Sequence, residues 1–186
     1  MLASQTGSSL HANCYEVVRT LPAKMITQEK FERLAPLALN WAKEQEALIL
    51  KHGIPLTSGQ IADAQRCRVQ NWSRVRVLVV DRIPLPDDEE LADAAQRAQI
   101  ITDASRGVAI GHGILIRADS WGKRELLLHQ LVHVAQCERS GGLESFVGEY
   151  LSDRRSSRDF SVGSLEDEAR GLAREICADD KTKQPA

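Results

Sequence analysis

Arg124-Glu125-Leu126-Leu127-Leu128-His129-Gln130-Leu131-Val132-His133-Val134-Ala135-Gln136 reads as a helix whose two histidines stand four residues apart. A step of four returns a side chain to the same face of an α-helix, so His129 and His133 can turn both imidazoles toward one shared ion. Leu126, Leu127, Leu128, Leu131, Val132, Val134 and Ala135 leave the stretch apolar almost all round. That is the pattern of a central, buried helix. The helix is expected to start near Trp121 to Lys123 and to stop at Gly141-Gly142, a pair suited to a left-handed C-cap. The plain account of the histidines is a hydrogen-bonded core pair. It requires each buried imidazole to find its own polar partner, whereas one metal would satisfy both.

Around this stretch the chain has the composition of one ordinary soluble domain. Its 186 residues suffice to bury a core, and no repeat period appears. A formal charge of −2 gives no electrostatic footprint for nucleic acid, and no run of some 18 apolar residues is present to span a bilayer. Neither nucleic acid nor a membrane is therefore expected as a partner. Residues 1–10 lack the basic flank and apolar core of a secretory signal, so a cytoplasmic location is expected. Cys14, Cys67, Cys137 and Cys177 show no CxxC spacing and read as buried free thiols. Residues 1–26 are expected to be a flexible N-terminal segment, 27–178 a single domain, and 179–186 a disordered C-terminal tail.

The rest of the chain reads as helices with a few strands. Thr27 can cap a helix running to about Lys51, with Gly53 at its stop and Pro36 expected to kink or divide it. Pro55 and a Thr57/Gln60 capping box open a second helix through about Cys67. Arg74 to Asp81 is β-branched and alternates at its start, so it reads as a strand ended by Pro84 and Pro86. Asp87 and Glu90 form another capping box, for a helix to about Ala98. Gly107 to Arg117 suits a strand beside the histidine helix, its three glycines allowing close approach of another part of the chain.

Two histidines alone do not make a tetrahedral zinc site, which takes a third protein ligand and leaves a fourth position open. Candidates lie downstream in Ser164-Leu165-Glu166-Asp167-Glu168-Ala169-Arg170-Gly171-Leu172-Ala173, where Ser164 and Asp167 resemble a helix N-cap pair. Leu165, Ala169, Leu172 and Ile176 define a core face, with Glu166 and Glu168 on its flanks. Periodicity does not choose between the two acids, and both also suit the positive end of a helix. In the metal-hydrolase pattern His-Glu-x-x-His the glutamate is the general base that takes a proton from water. Gln130 stands in that position, and a neutral amide cannot accept a proton at pH 7.

Taken together, His129-Gln130-Leu131-Val132-His133-Val134-Ala135-Gln136, the Gly141-Gly142 turn, the helical stretch Leu143 to Leu151 and Leu165-Glu166-Asp167-Glu168-Ala169 resemble small bacterial zincin-like metallopeptidase domains of the gluzincin type. The usual pattern of those domains is HELxHxxQ followed by a helix with ExEA. The resemblance covers roughly Gly107 to Ala173 well and the amino-terminal half weakly. It implies an α+β, mainly helical zincin-like fold with a small β-sheet. It also implies zinc held by His129, His133 and Glu166, a peptide or protein as substrate or partner, and an edge strand within residues 108 to 116 that binds extended peptide by strand addition. Gln130 departs from the pattern, and two accounts follow. Either it is an engineered Glu-to-Gln inactivation of a peptidase, or the chain is a natural zinc-binding pseudopeptidase that acts as a protein-binding module. For the donor that faces an oxyanion, Tyr150 and His112 are the candidates. Gln136 is placed to orient a ligand from behind. Arg154, Arg155 and Arg158 read as a solvated polar loop rather than an anion site.

Overall fold

Thr27 opens the first helix by accepting the Lys30 amide on its side chain, and the helix α1 (Gln28–His52) runs from it through Pro36 without a break. The prolyl ring therefore does not divide this helix as the sequence suggests. The computed structural model describes residues 27–156 and 164–182; the expected flexible segment 1–26, Cys14, Arg158 and residues 183–186 lie outside them. After α1 come a two-residue strand β1 (Ile54–Pro55) and α2 (Ser58–Arg66), whose Thr57/Gln60 capping box is formed in both directions. Next are β2 (Arg76–Val80) and α3 (Glu89–Arg97). The N-cap of α3 is Asp88, which accepts the Leu91 amide at 2.8 Å, one residue later than the Asp87 reading. Glu90 is instead bound by Arg33 of α1.

The stretch Gly107 to Arg117 is a tight hairpin rather than one strand. β3 (Gly107–Ile110) turns at Gly111 and His112 into β4 (Gly113–Arg117), with Gly111 at φ +60° supplying the left-handed turn residue. The sheet order is β1-β2-β4-β3, with β2 and β4 parallel and the outer pairs antiparallel. Only β3 is therefore an edge in this half of the sheet; β4 is interior. Successive side chains of a strand face opposite ways. Ile114 and Ile116 pack with Val77 against the histidine helix, while Leu115 packs with Ile49 of α1 on the other face. Gly113 is small for a reason: a Cβ there would stand 2.9 Å from Ile49, so α1 packs tightly on β4 at this point.

The histidine helix α4 (Arg124–Arg139) ends as its sequence requires. The Gly142 amide reaches Cys137 O and the Gly141 amide reaches Glu138 O, with both glycines at positive φ, forming a Schellman cap. Helices α5 (Leu143–Ser156) and α6 (Ser164–Thr182) follow. Residues 179–182, expected in a disordered tail, are the last turn of α6, where Asp180 is gripped by Arg66 of α2 and Arg124 of α4. The sheet thus lies between α1 and a layer of α2, α4 and α6, giving an α+β architecture. Ala169 and Ala173 let α6 pack closely on α4. Cys67, Cys137 and Cys177 are free thiols. Among the described residues no helix is long and apolar enough to cross a membrane.

Candidate metal centre

His129 and His133 bring their Nε2 atoms to 3.1 Å, with the rings edge to face. The tautomer of His133 follows from its neighbour. The Gln136 amide nitrogen donates to Leu165 O at 2.9 Å and to Glu168 at 3.0 Å, so its oxygen faces His133 Nδ1 at 2.8 Å and accepts its proton. That leaves the Nε2 lone pair of His133 directed into the site. Burial, and then the neighbouring His133, push His129 down to about 4, so the His129 ring is neutral at pH 7.

Glu166, on the first turn of α6, completes the cluster. Its carboxylate oxygens lie 3.5 Å from His129 Nε2 and 3.4 Å from His133 Nε2, and the three residues offer donor atoms all within 4.8 Å of one another. A hydrogen-bonded histidine pair accounts for the 3.1 Å contact but not for Glu166, which stands beyond good hydrogen-bond range of both rings. Donors bound at about 2.0–2.2 Å in a tetrahedral shell are spaced roughly 3.3–3.6 Å apart; the two Glu166 gaps fall in that range and the 3.1 Å histidine gap is slightly shorter. Two histidines and a carboxylate are also a donor set that zinc takes. Burial alone would raise the Glu166 carboxyl, but His133, the Tyr150 hydroxyl and His129 outweigh it and bring it down to about 2.

The position of Glu166 is set from α5. Asp153 accepts hydrogen bonds from Ser164 N and Oγ and from Leu165 N, so it caps α6 from outside; the Ser164/Asp167 pair does not supply the cap. One turn earlier on α5, the Tyr150 hydroxyl donates to Glu166 Oε1 at 2.6 Å. Tyr150, read as an oxyanion donor, is thereby a positioning residue for the carboxylate. The two acids that periodicity left open are separated by the fold. Glu168 faces Arg139 and Gln136 and supports His133 through the amide.

Gln130 is buried and lines the cavity beside the two histidines, with its amide nitrogen close to Gly107 at the start of β3. The cavity measures about 440 Å³ and runs between α1, α3, β3 and α5, with walls that include Phe31, Leu34, Ala94, Val108 and Phe146. His112 does not reach it. That imidazole sits in the β3–β4 turn with Nε2 3.0 Å from Glu138, while Glu46 accepts its backbone amide at 2.9 Å. Glu138 also takes the amides of Gln70 and Asn71, making a clasp at the other end of α4. The structure thus places His112, a candidate oxyanion donor, apart from the His129, His133 and Glu166 cluster. Arg154 is corrected too: it belongs to α5, is only 4 % exposed, and donates from Nη2 to Ala98 O and Gln99 O. Its spacing from Phe146 and Tyr150, eight and four residues along one helix, is the signal that assigns it to the cavity face. No protein-family model, curated protein or solved structure matches the chain.

Proposed function

We propose that this chain is a zincin-like peptidase domain that holds one zinc ion through His129, His133 and Glu166 and lacks its general base because Gln130 occupies that position. The observation that carries the reading is the convergence of three donors from two helices, with the His133 tautomer fixed by Gln136. When bound there, zinc supplies a Lewis acid that polarises a carbonyl and acidifies water. The protein's own part is to hold and to orient. Gln136 and Glu168 aim His133, Tyr150 holds Glu166, and the mostly apolar cavity walls border the site. Gln130 lines the same cavity, so a carboxylate in its place would reach a water there, whereas the amide has no basic atom. The substrate is a peptide or protein, and β3, the edge strand of the sheet on this side, lines the same cavity.

Metal analysis of the purified chain should give about one zinc, abolished by His129→Ala or His133→Ala. Glu166→Ala should weaken binding far more than Glu168→Ala; the reverse order would reassign the third ligand. Gln130→Glu should raise cleavage of a casein or mixed-peptide substrate by about 10²–10⁴-fold, a gain removed by chelation or by His133→Ala. The intact cavity around a neutral Gln130 favours one second reading, a zinc-stabilised pseudopeptidase that binds a protein without cutting it. A zinc-loaded Gln130→Glu protein as inert as the parent across a broad substrate screen would select that reading.

A further inference from the structure

The cavity beside the metal centre is mostly apolar, yet its charged groups are unbalanced. Among the described lining residues stand two guanidiniums, Arg154 and Arg170, and one carboxylate, Glu166; Arg170 pairs with Asp167 at 3.6 Å and Glu166 accepts from Tyr150 beside the histidines, which leaves Arg154 without a carboxylate partner among the described residues. Arg154 is the unusual one. It is 96 % buried by its 4 % exposure, it is pinned by Nη2 to the carbonyls of Ala98 and Gln99 at the end of α3, and its buried Nε has no hydrogen-bond partner among the described residues. A desolvated donor left unmatched costs about 1–3 kcal/mol, more when charged, so its retention in a ligand cavity calls for an acceptor that arrives with the ligand.

We propose that Arg154 receives the C-terminal carboxylate of a bound peptide whose last residue is apolar. This deepens the peptidase reading by naming the substrate class: a peptide end rather than an internal segment. A guanidinium is matched best by a carboxylate. The wall next to Arg154 is built from Ala94, Ala95, Ile100 and Leu151, which want an apolar side chain. A C-terminal apolar residue supplies both groups at once, whereas an Asp or Glu side chain would bring the charge and leave the apolar wall unfilled. Tyr150 and Arg154 are one helical turn apart, about 6 Å along α5. At about 3.3 Å per extended residue, the carboxylate and the metal centre are then one to two residues apart on the bound peptide.

Because Gln130 removes the base, binding can be measured on the full chain without cleavage. The probes are N-dansyl-Ala-Leu-Phe-Leu as the free acid, the same peptide as its C-terminal amide, and the amide of N-dansyl-Ala-Leu-Phe-Glu, each titrated by fluorescence anisotropy. The free acid should bind about tenfold or more tightly than its amide, as expected for a charge-assisted pair, and more tightly than the Glu-ended amide. Arg154→Gln should bring the acid-to-amide ratio to about one, and Arg154→Lys should keep part of it. Since the ratio is taken within each variant, a general loss of affinity does not affect it. Should Arg154→Gln fail to fold, the Arg154→Lys ratio and the wild-type ratio still decide. A wild-type ratio of one, a ratio unchanged by either substitution, or a Glu-ended amide as good as the free acid would overturn the assignment. Titration with and without a chelator separates this from the metal reading: loss of zinc leaves the ratio in place, and loss of the ratio leaves zinc stoichiometry in place.

Discussion

Replacing Gln136 by Leu tests the link between core packing and metal affinity most directly. The side chain is 0 % exposed and makes three hydrogen bonds, to His133 Nδ1, Leu165 O and Glu168. Leucine fills nearly the same volume, so little cavity is created, but the His133 N–H loses its partner and the Leu165 carbonyl, which lies inside α6 and keeps its helical bond, loses a second one. Glu168 keeps Arg139 and is less affected. One unpaired buried N–H at about 1–3 kcal/mol and one lost extra bond at about 0.5–1.5 kcal/mol, partly offset by the more apolar side chain, place the loss at about 2–4 kcal/mol. For a domain of this size that is a melting-temperature drop of roughly 4–16 °C. The second effect is on the ion: with His133 free to rotate and to change tautomer, zinc affinity should fall about 10–100-fold. Urea unfolding with and without zinc, followed by competition with a chromogenic chelator, reads both numbers. A Gln136→Leu protein that folds and binds zinc as tightly as the parent would refute the argument that this amide aims the ligand.

Tyr150→Phe should leave the fold intact and weaken zinc binding by about tenfold, because only the hydroxyl that steadies Glu166 is removed; unchanged affinity by chelator competition would contradict the positioning role. His112→Gln reports on the clasp at the far end of α4. Glu46 beside it and the Glu138 hydrogen bond raise His112 above 6.5 despite burial, so its contribution is complete below pH 6.5 and is lost as pH rises through the raised value. Glu46, through His112, sits below its ordinary 4.5, as does Glu138, where the Gln70 and Asn71 amides and His112 overcome the effect of burial; their contribution fades as pH falls through the lowered values. The wild-type advantage in thermal melts should therefore peak between about pH 5 and 6.5 and shrink toward pH 8; a flat difference would refute it. Gly113→Ala should cost about 1–3 kcal/mol by forcing α1 off β4, measured by chemical denaturation, and a stability equal to wild type would show that Ile49 yields freely.

Local signals announced the helices and their ends: Thr27, the Thr57/Gln60 box and the Gly141-Gly142 stop all stand where side-chain chemistry placed them. The histidine pair was legible because a four-residue step is a property of the helix itself. What stayed hidden was set by tertiary contact. Gly107 to Arg117 reads as one apolar run because the turn at Gly111-His112 interrupts it with only two residues. Glu166 and Glu168 are equivalent on a helical wheel and are told apart only by which of Tyr150 and Arg139 each meets. Arg154 sits in a polar stretch, and nothing local marks that α3 ends against it. His112 was assigned by chain proximity to the metal helix, yet the hairpin carries it to the opposite end of α4.

Helix α5 fixes the carboxylate from two points at once, Tyr150 on the Glu166 side chain and Asp153 on the first turn of its helix. The position of Glu166 on α6 is accordingly held by a clamp across space. Chains built in the same way would keep this clamp. They would be recognised by a tyrosine and an aspartate three residues apart ahead of the acidic helix, rather than by a constant distance from the histidine pair.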